Sequence, residues 1–163
     1  MKLSVLLALL IYVTGCAGQS VHESLNAICL QTSKYSNRQA SPFYFMGNPS
    51  VLGYTKQKAV GVYTERRFLL NELSSFQATA ILPVKHSGFG AMGSRYGSPL
   101  YNETMVAISY GRCLINNVSV GVQLNYLSRK SPGFGIASTA TASAGALFRP
   151  NPTLSAGFAA QHI

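Results

Sequence analysis

The sequence predicts an all-β protein: an antiparallel up-and-down transmembrane β-barrel with about seven strands present, part of a larger barrel, and a plug-like segment ahead of them. Three observations predict it: a clean period-two pattern, a series of long strand-like stretches, and a shortage of charge. The pattern is clearest over residues 117–126, where Val118, Val120, Val122, Leu124 and Tyr126 alternate with Ser119, Gly121, Gln123 and Asn125. Successive side chains of a strand point to opposite faces, so this stretch sorts apolar from small polar residues. A sandwich strand also alternates, but its wet face usually carries Lys, Glu or Thr. Small uncharged groups fit a strand with lipid on one side and a wet or plugged lumen on the other.

The charge balance points the same way. Charged residues make up 10% of the 163 residues, against ~25% in ordinary soluble domains. Asp is absent, and Glu23, Glu65, Glu72 and Glu103 are the acids, which leaves a net charge of +9. So few charges would solvate a surface poorly, which favours a chain that faces something other than water. Lys and Arg are scattered and form no basic run, so no nucleic-acid partner is expected.

The chain divides into a signal peptide (1–18), a plug-like segment (19–53) and barrel strands (54–163). Lys2 supplies the positive start of the signal, residues 3–13 its apolar stretch, and Gly15, Cys16, Ala17 and Gly18 its small-residue exit. Eleven apolar-rich residues are too few for a spanning helix, which needs ~20. Cleavage has two readings. Residues 13–16 resemble a lipobox that would place a lipid on Cys16, and a cut before Gln19 suits a chain held by its own barrel. Cys29 and Cys113 either pair in an oxidising compartment or remain two thiols. With His22, His86 and His162 they show no metal-ligand spacing, and no metal or cofactor is expected.

Residues 21–53 show no clean period. A short helical turn over 24–30 is followed by Pro42, Gly47 and Pro49, which break up anything longer. The strands then read 58–66, 74–83, 88–96, 104–112, 117–127, 138–148 and 153–163. Each is ~9–11 residues, the length of a tilted membrane-crossing strand, where soluble strands average ~5–6. Connections read as tight at 84–87, 113–116 and 149–152 and as longer at 67–73, 97–103 and 128–137. Outer-membrane barrels alternate short periplasmic turns with longer outer loops in this way. Glu72, Glu103, Arg129 and Lys130 would then lie at the outer end. Gly and Ala within the strands permit curvature. Tyr54, Tyr63, Tyr96, Tyr101, Tyr110 and Tyr126 fall near strand ends, as an aromatic girdle would, although strand preference alone also favours tyrosine. Seven strands do not close a barrel whose strand number is usually even, so either further strands follow or an eighth hides before Tyr54.

Residues 45–52, with Asn48-Pro49-Ser50, resemble the Asn-Pro-Ala segment that opens barrels of the long-chain fatty-acid transporter and PorV/PorQ type. Residues 62–73, Tyr101-Asn102-Glu103 and residues 108–112 look like the hairpin segments of PorQ-like proteins, and residues 121–126 like their Gly-to-Tyr strands. The resemblance covers residues 48–163. It implies an outer-membrane barrel of about fourteen strands with an N-terminal lumen plug. Members of this group transport hydrophobic compounds or serve type IX secretion. Ser50 departs from the usual Ala.

Other motifs fail on context. Gly88-Phe89-Gly90-Ala91-Met92-Gly93 matches a dinucleotide fingerprint by letter, but no helix can open at Ser94–Pro99 and no acid follows at ~20 residues. No nucleophile elbow is present, and four Glu with no Asp leave little for a triad, so no enzyme is expected. The expected function is transport of hydrophobic solutes or a secretion-associated platform in the bacterial outer membrane, with membrane lipid and secretion-system components as partners. A soluble or lipid-anchored exported β-protein binding a small apolar ligand, lipocalin-like or sandwich, is the alternative. The expected plug residues are Gly47, Asn48 and Pro49. The expected lumen-facing residues are Ser119, Gln123, Asn125, Thr139, Thr141 and Ser143.

Overall fold

The computed structural model describes residues 41–115, 117–151 and 154–161. The signal segment, Cys16, His22, the turn at 24–30, Cys29 and His162 lie outside the described residues. Residues 41–55 hold two short 3-10 helices, Tyr44–Met46 and Pro49–Tyr54. Seven strands follow: β1 (Ala59–Arg66), β2 (Ser74–Val84), β3 (Ser87–Gly97), β4 (Asn102–Ile115), β5 (Val118–Ser131), β6 (Gly135–Phe148) and β7 (Ala156–Ala160). Each pairs antiparallel with the next in chain order, so the all-β, up-and-down expectation holds. The described sheet is open, since β1 and β7 do not pair with each other.

The connections differ from expectation. The β5–β6 link shrinks to residues 132–134, because pairing runs on to Ser131 opposite Gly135. Gly133 and Gly135 take left-handed φ of 79° and 82°, a region that costs glycine little. Arg129 and Lys130 therefore lie within β5, and Glu103 within β4. The β6–β7 link spans 149–155 and is not tight, because β7 begins only at Ala156. The short–long alternation therefore holds from the expected 67–73 link through the tight 85–86 turn to the longer 98–101 link, and it is lost toward β7.

Alternation along the strands separates two faces. We call the one that meets residues 41–55 the inner face. Along β5, Gln123 and Asn125 are 3% and 5% exposed, while the alternating Val122 and Leu124 are 55% and 57% exposed. The outer face continues through exposed Val60, Val62, Phe76, Leu82, Phe89, Val106, Ile108 and Phe148. Large apolar side chains thus cover the outer face, while the inner face mixes buried polar groups with Ile81, Met92, Ala107 and Leu147; along β5 the polarity is the reverse of a soluble half-buried strand.

The sheet also bends. Six strand-to-strand steps of ~4.8 Å would hold β1 and β7 about 29 Å apart if flat. Gly61 of β1 instead lies against Pro42 and Phe43. Gln161, just past β7, donates from Nε2 to the Met46 and Gly47 carbonyls at 3.3 and 3.1 Å. Both edges reach one six-residue stretch, so the sheet curls around it.

Candidate functional site

The site begins with four glycines that the sequence scatters and the register lines up. Gly88 of β3 stands opposite Gly111 of β4, Gly111 opposite Gly121 of β5, and Gly121 opposite Gly145 of β6. All four belong to the inner face, and together they form a row without side chains across four strands. Residues 48–52 lie along it. A methyl group on Gly88 would stand 2.6 Å from the Leu52 carbonyl oxygen, and one on Gly111 2.5 Å from that of Pro49. A methyl on Gly121 would strike the Pro49–Ser50 peptide, and one on Gly145 the Asn48 side chain. The main chain of the segment therefore occupies the space that side chains would otherwise fill.

Hydrogen bonds hold the segment there. Asn48 caps the second 3-10 helix, its Oδ1 accepting from the Ser50 amide at 3.1 Å and the Ser50 hydroxyl at 2.6 Å. Its Nδ2 donates to the Ala146 carbonyl of β6 at 3.4 Å. Ser119 Oγ donates to the Ser50 carbonyl at 2.6 Å and lies 3.0 Å from the Arg112 carbonyl. Tyr44 hydroxyl bonds Thr55. Phe45 packs on Gly90, and it joins Tyr44, Met46, Val51, Leu52, Ile81, Met92, Ala107 and Leu147 in the buried apolar cluster.

Further along the inner face the wall changes character. Ser109 Oγ donates to Gln123 Oε1 at 2.8 Å, and Gln123 Nε2 to Asn125 Oδ1 at 2.6 Å. Asn125 Nδ2 reaches Ser143 and Thr141 at 3.3 and 3.4 Å. This ladder crosses β4, β5 and β6 and satisfies polar groups that burial would otherwise penalise. Thr79, in the same inner-face row as Met92, Ala107, Asn125 and Thr141, is buried with no hydrogen-bond partner for its hydroxyl.

At the rim beyond the ladder, Glu103 is 4% exposed and meets Arg129 Nε at 2.8 Å. Tyr101 donates its hydroxyl to the same carboxylate. That hydrogen bond, then burial and the Glu103 charge, raise the Tyr101 pKa above its ordinary value, while Arg129 opposes the shift. At the other rim Arg149 stacks 4.3 Å over the Tyr54 ring. Burial lowers the Arg149 pKa, and Tyr54 opposes the shift.

Among the expected residues, Gly47, Asn48 and Pro49 are buried against the sheet. Ser119, Gln123, Asn125 and Ser143 are buried on the inner face, Thr141 is half-buried, and Thr139 lies past the covered region and is exposed. The tyrosine girdle is reduced: Tyr110 and Tyr126 occupy the outer face, whereas Tyr63 and Tyr96 share the inner parity of Gln77 and Glu103. The glycine row was missed because Gly88, Gly111, Gly121 and Gly145 become neighbours only once four hairpins are put in register. Among the described residues no group of three or more His, Cys, Asp or Glu is placed to hold a metal. No family model, curated protein or solved structure matches the chain.

Proposed function

We propose that this chain forms the wall of an outer-membrane β-barrel, with residues 41–55 as a lumen plug that makes solute passage conditional. The observation that carries the reading is the reversed polarity of β5: its amides and hydroxyls are buried, and its Val, Leu and Tyr are exposed. In water that arrangement leaves an unfavourable apolar face of several strands, whereas in a bilayer it is the required one. A soluble carrier of an apolar ligand would show the opposite pattern. The strands of 11 and 14 residues, β2 to β6, reach or exceed the ~9–11 needed to cross.

Further strands would complete the lumen, since a spanning sheet cannot leave edges in lipid. Ile81, Met92 and Leu147 beside the Gln123–Asn125 ladder give the inner wall both apolar and polar surface. That mixture suits a hydrophobic solute with a polar end better than it suits a simple ion path. The reading includes the likeness to PorV/PorQ-type barrels, a bacterial outer-membrane location and contact with its lipid. Two measurements test it. The full-length protein stays with membranes through a carbonate wash, and release into the supernatant overturns the membrane assignment. In planar bilayers, deletion of residues 41–52 raises conductance; a folded deletion with unchanged conductance overturns the plug.

A further inference from the structure

The described acids are confined to one end of the strands, whereas cations occur at both ends. Glu65 is the last but one residue of β1, Glu72 lies between β1 and β2, and Glu103 is the second residue of β4, so all three sit at one rim. The opposite rim, which carries the two-residue turn 85–86, holds Lys56, Lys58, Lys85, Arg112 and Arg149 and, among the described residues, no acid. Lys56, Lys58, Lys85 and Arg112 are exposed. Three of them adjoin the outer apolar face. Lys58 precedes β1 two residues before Val60, Lys85 follows Val84, and Arg112 is on the Ile108–Tyr110 side of β4, opposite Val120. Leu114 lies one step beyond Arg112, and the long arginine stem lets its guanidinium reach past that residue.

Resting on the membrane reading above, we propose that Lys58, Lys85 and Arg112 form a docking belt for anionic phospholipid headgroups. A basic rim alone attracts any anion. A basic rim bordering an apolar face selects an anion attached to acyl chains, because the chains cover Val60, Leu82, Val84 and Tyr110 while the phosphate meets the cations. A soluble polyanion, nucleic acid included, would leave the apolar face uncovered. The absence of an acid from this rim among the described residues removes the local partners that would otherwise neutralise the three cations.

The test reconstitutes the full chain in phosphatidylcholine vesicles and measures the relative association of spin-labelled phosphatidylglycerol and phosphatidylcholine by electron spin resonance. A cation near an anionic surface changes partitioning by about fivefold, and a preference of that order is expected at low salt. It should shrink as salt shortens the screening length. The triple variant Lys58→Gln, Lys85→Gln, Arg112→Gln abolishes the preference. The control Arg66→Gln, Arg95→Gln, Lys130→Gln, at the other rim, keeps it.

Equal preference in the two triple variants overturns the belt. Loss of preference on adding inorganic phosphate, at an ionic strength where sodium chloride has no such effect, shows a free-anion site and overturns the headgroup assignment. A chain retained by vesicles through carbonate but showing no preference overturns the belt alone. A chain released by carbonate overturns the membrane reading and the belt with it.

Discussion

The two halves of the inner face solve the same problem by opposite means. Near the tight turns the wall gives up its side chains: Gly88, Gly111, Gly121 and Gly145 leave a bare strip, and the main chain of residues 48–52 fills it. Toward the other rim the wall keeps its side chains, and Ser109, Gln123, Asn125, Thr141 and Ser143 satisfy one another. The first half is limited by volume and the second by polarity. A change of size should therefore be felt in one and a change of hydrogen-bonding capacity in the other.

The largest expected effect comes from adding volume to the glycine row. Gly121→Leu places a side chain where the Pro49–Ser50 peptide now lies, and no rotamer avoids main-chain atoms so close. Overpacking of this kind costs about 3 kcal/mol, and residues 41–55 should become open to protease. Gly93→Ala is the matched control, because a methyl there meets nothing within 4 Å; its effect should stay within about 0.5 kcal/mol. Urea unfolding of the full chain in detergent micelles checks both. If the two variants prove equally stable, residues 48–52 do not lie in the row.

Polarity governs the second prediction. Gln123→Leu keeps roughly the volume but leaves the Ser109 hydroxyl without its acceptor and Asn125 Oδ1 without its donor, at a cost of about 2 kcal/mol. The same substitution strategy should sharpen the contrast between halves, since removing polarity without adding volume matters only where side chains bond each other. Unfolding midpoints that match the parent would place water, rather than Ser109 and Asn125, around the Gln123 amide.

How much of this could be read from the chain depends on range. The faces of β5 were legible because alternation is local: Val118 to Tyr126 sort themselves without reference to any other strand. All seven strands were legible for the same reason. Their ends were less so, because pairing beyond Leu127 and before Ser138 is decided by Gly133 and Gly135 in the turn. Thr139 shows the limit of a face assignment. It keeps the parity of Thr141 and Ser143 but is exposed, since parity gives the side of a strand and not what covers it. The glycine row was the least legible feature, being a property of four registers at once.

A third, smaller effect probes how the segment is held. Asn48→Ala removes the cap to Ser50 and the contact with the Ala146 carbonyl, at a cost of about 1 kcal/mol. Asn48→Ser should recover part of it, because serine also caps but cannot reach β6. Conductance noise in planar bilayers offers an independent check, with Asn48→Ala opening more often than Asn48→Ser. If the two variants behave alike, the contact with β6 contributes nothing to holding the segment.

The smallest effect lies at the far rim, where neither volume nor the ladder is involved. Tyr101 donates to Glu103, and Glu103 pairs with Arg129. Only the neutral phenol can donate, and ionised Tyr101 would face the Glu103 carboxylate, so its pKa in the folded chain is raised. A group whose folded pKa lies above its unfolded value stabilises the fold fully below the unfolded value, ~10 for tyrosine, and loses that contribution as pH rises through the folded one. The parent chain should therefore be more stable than Tyr101→Phe from neutral pH up to about pH 10. Above that the two urea midpoints should converge. The Gly121 variant should show the same pH dependence as the parent, because the rim lies beyond the ladder from the glycine row. A gap between parent and Tyr101→Phe that persists unchanged into strong alkali would mean that packing of the ring, not its hydroxyl, secures the rim.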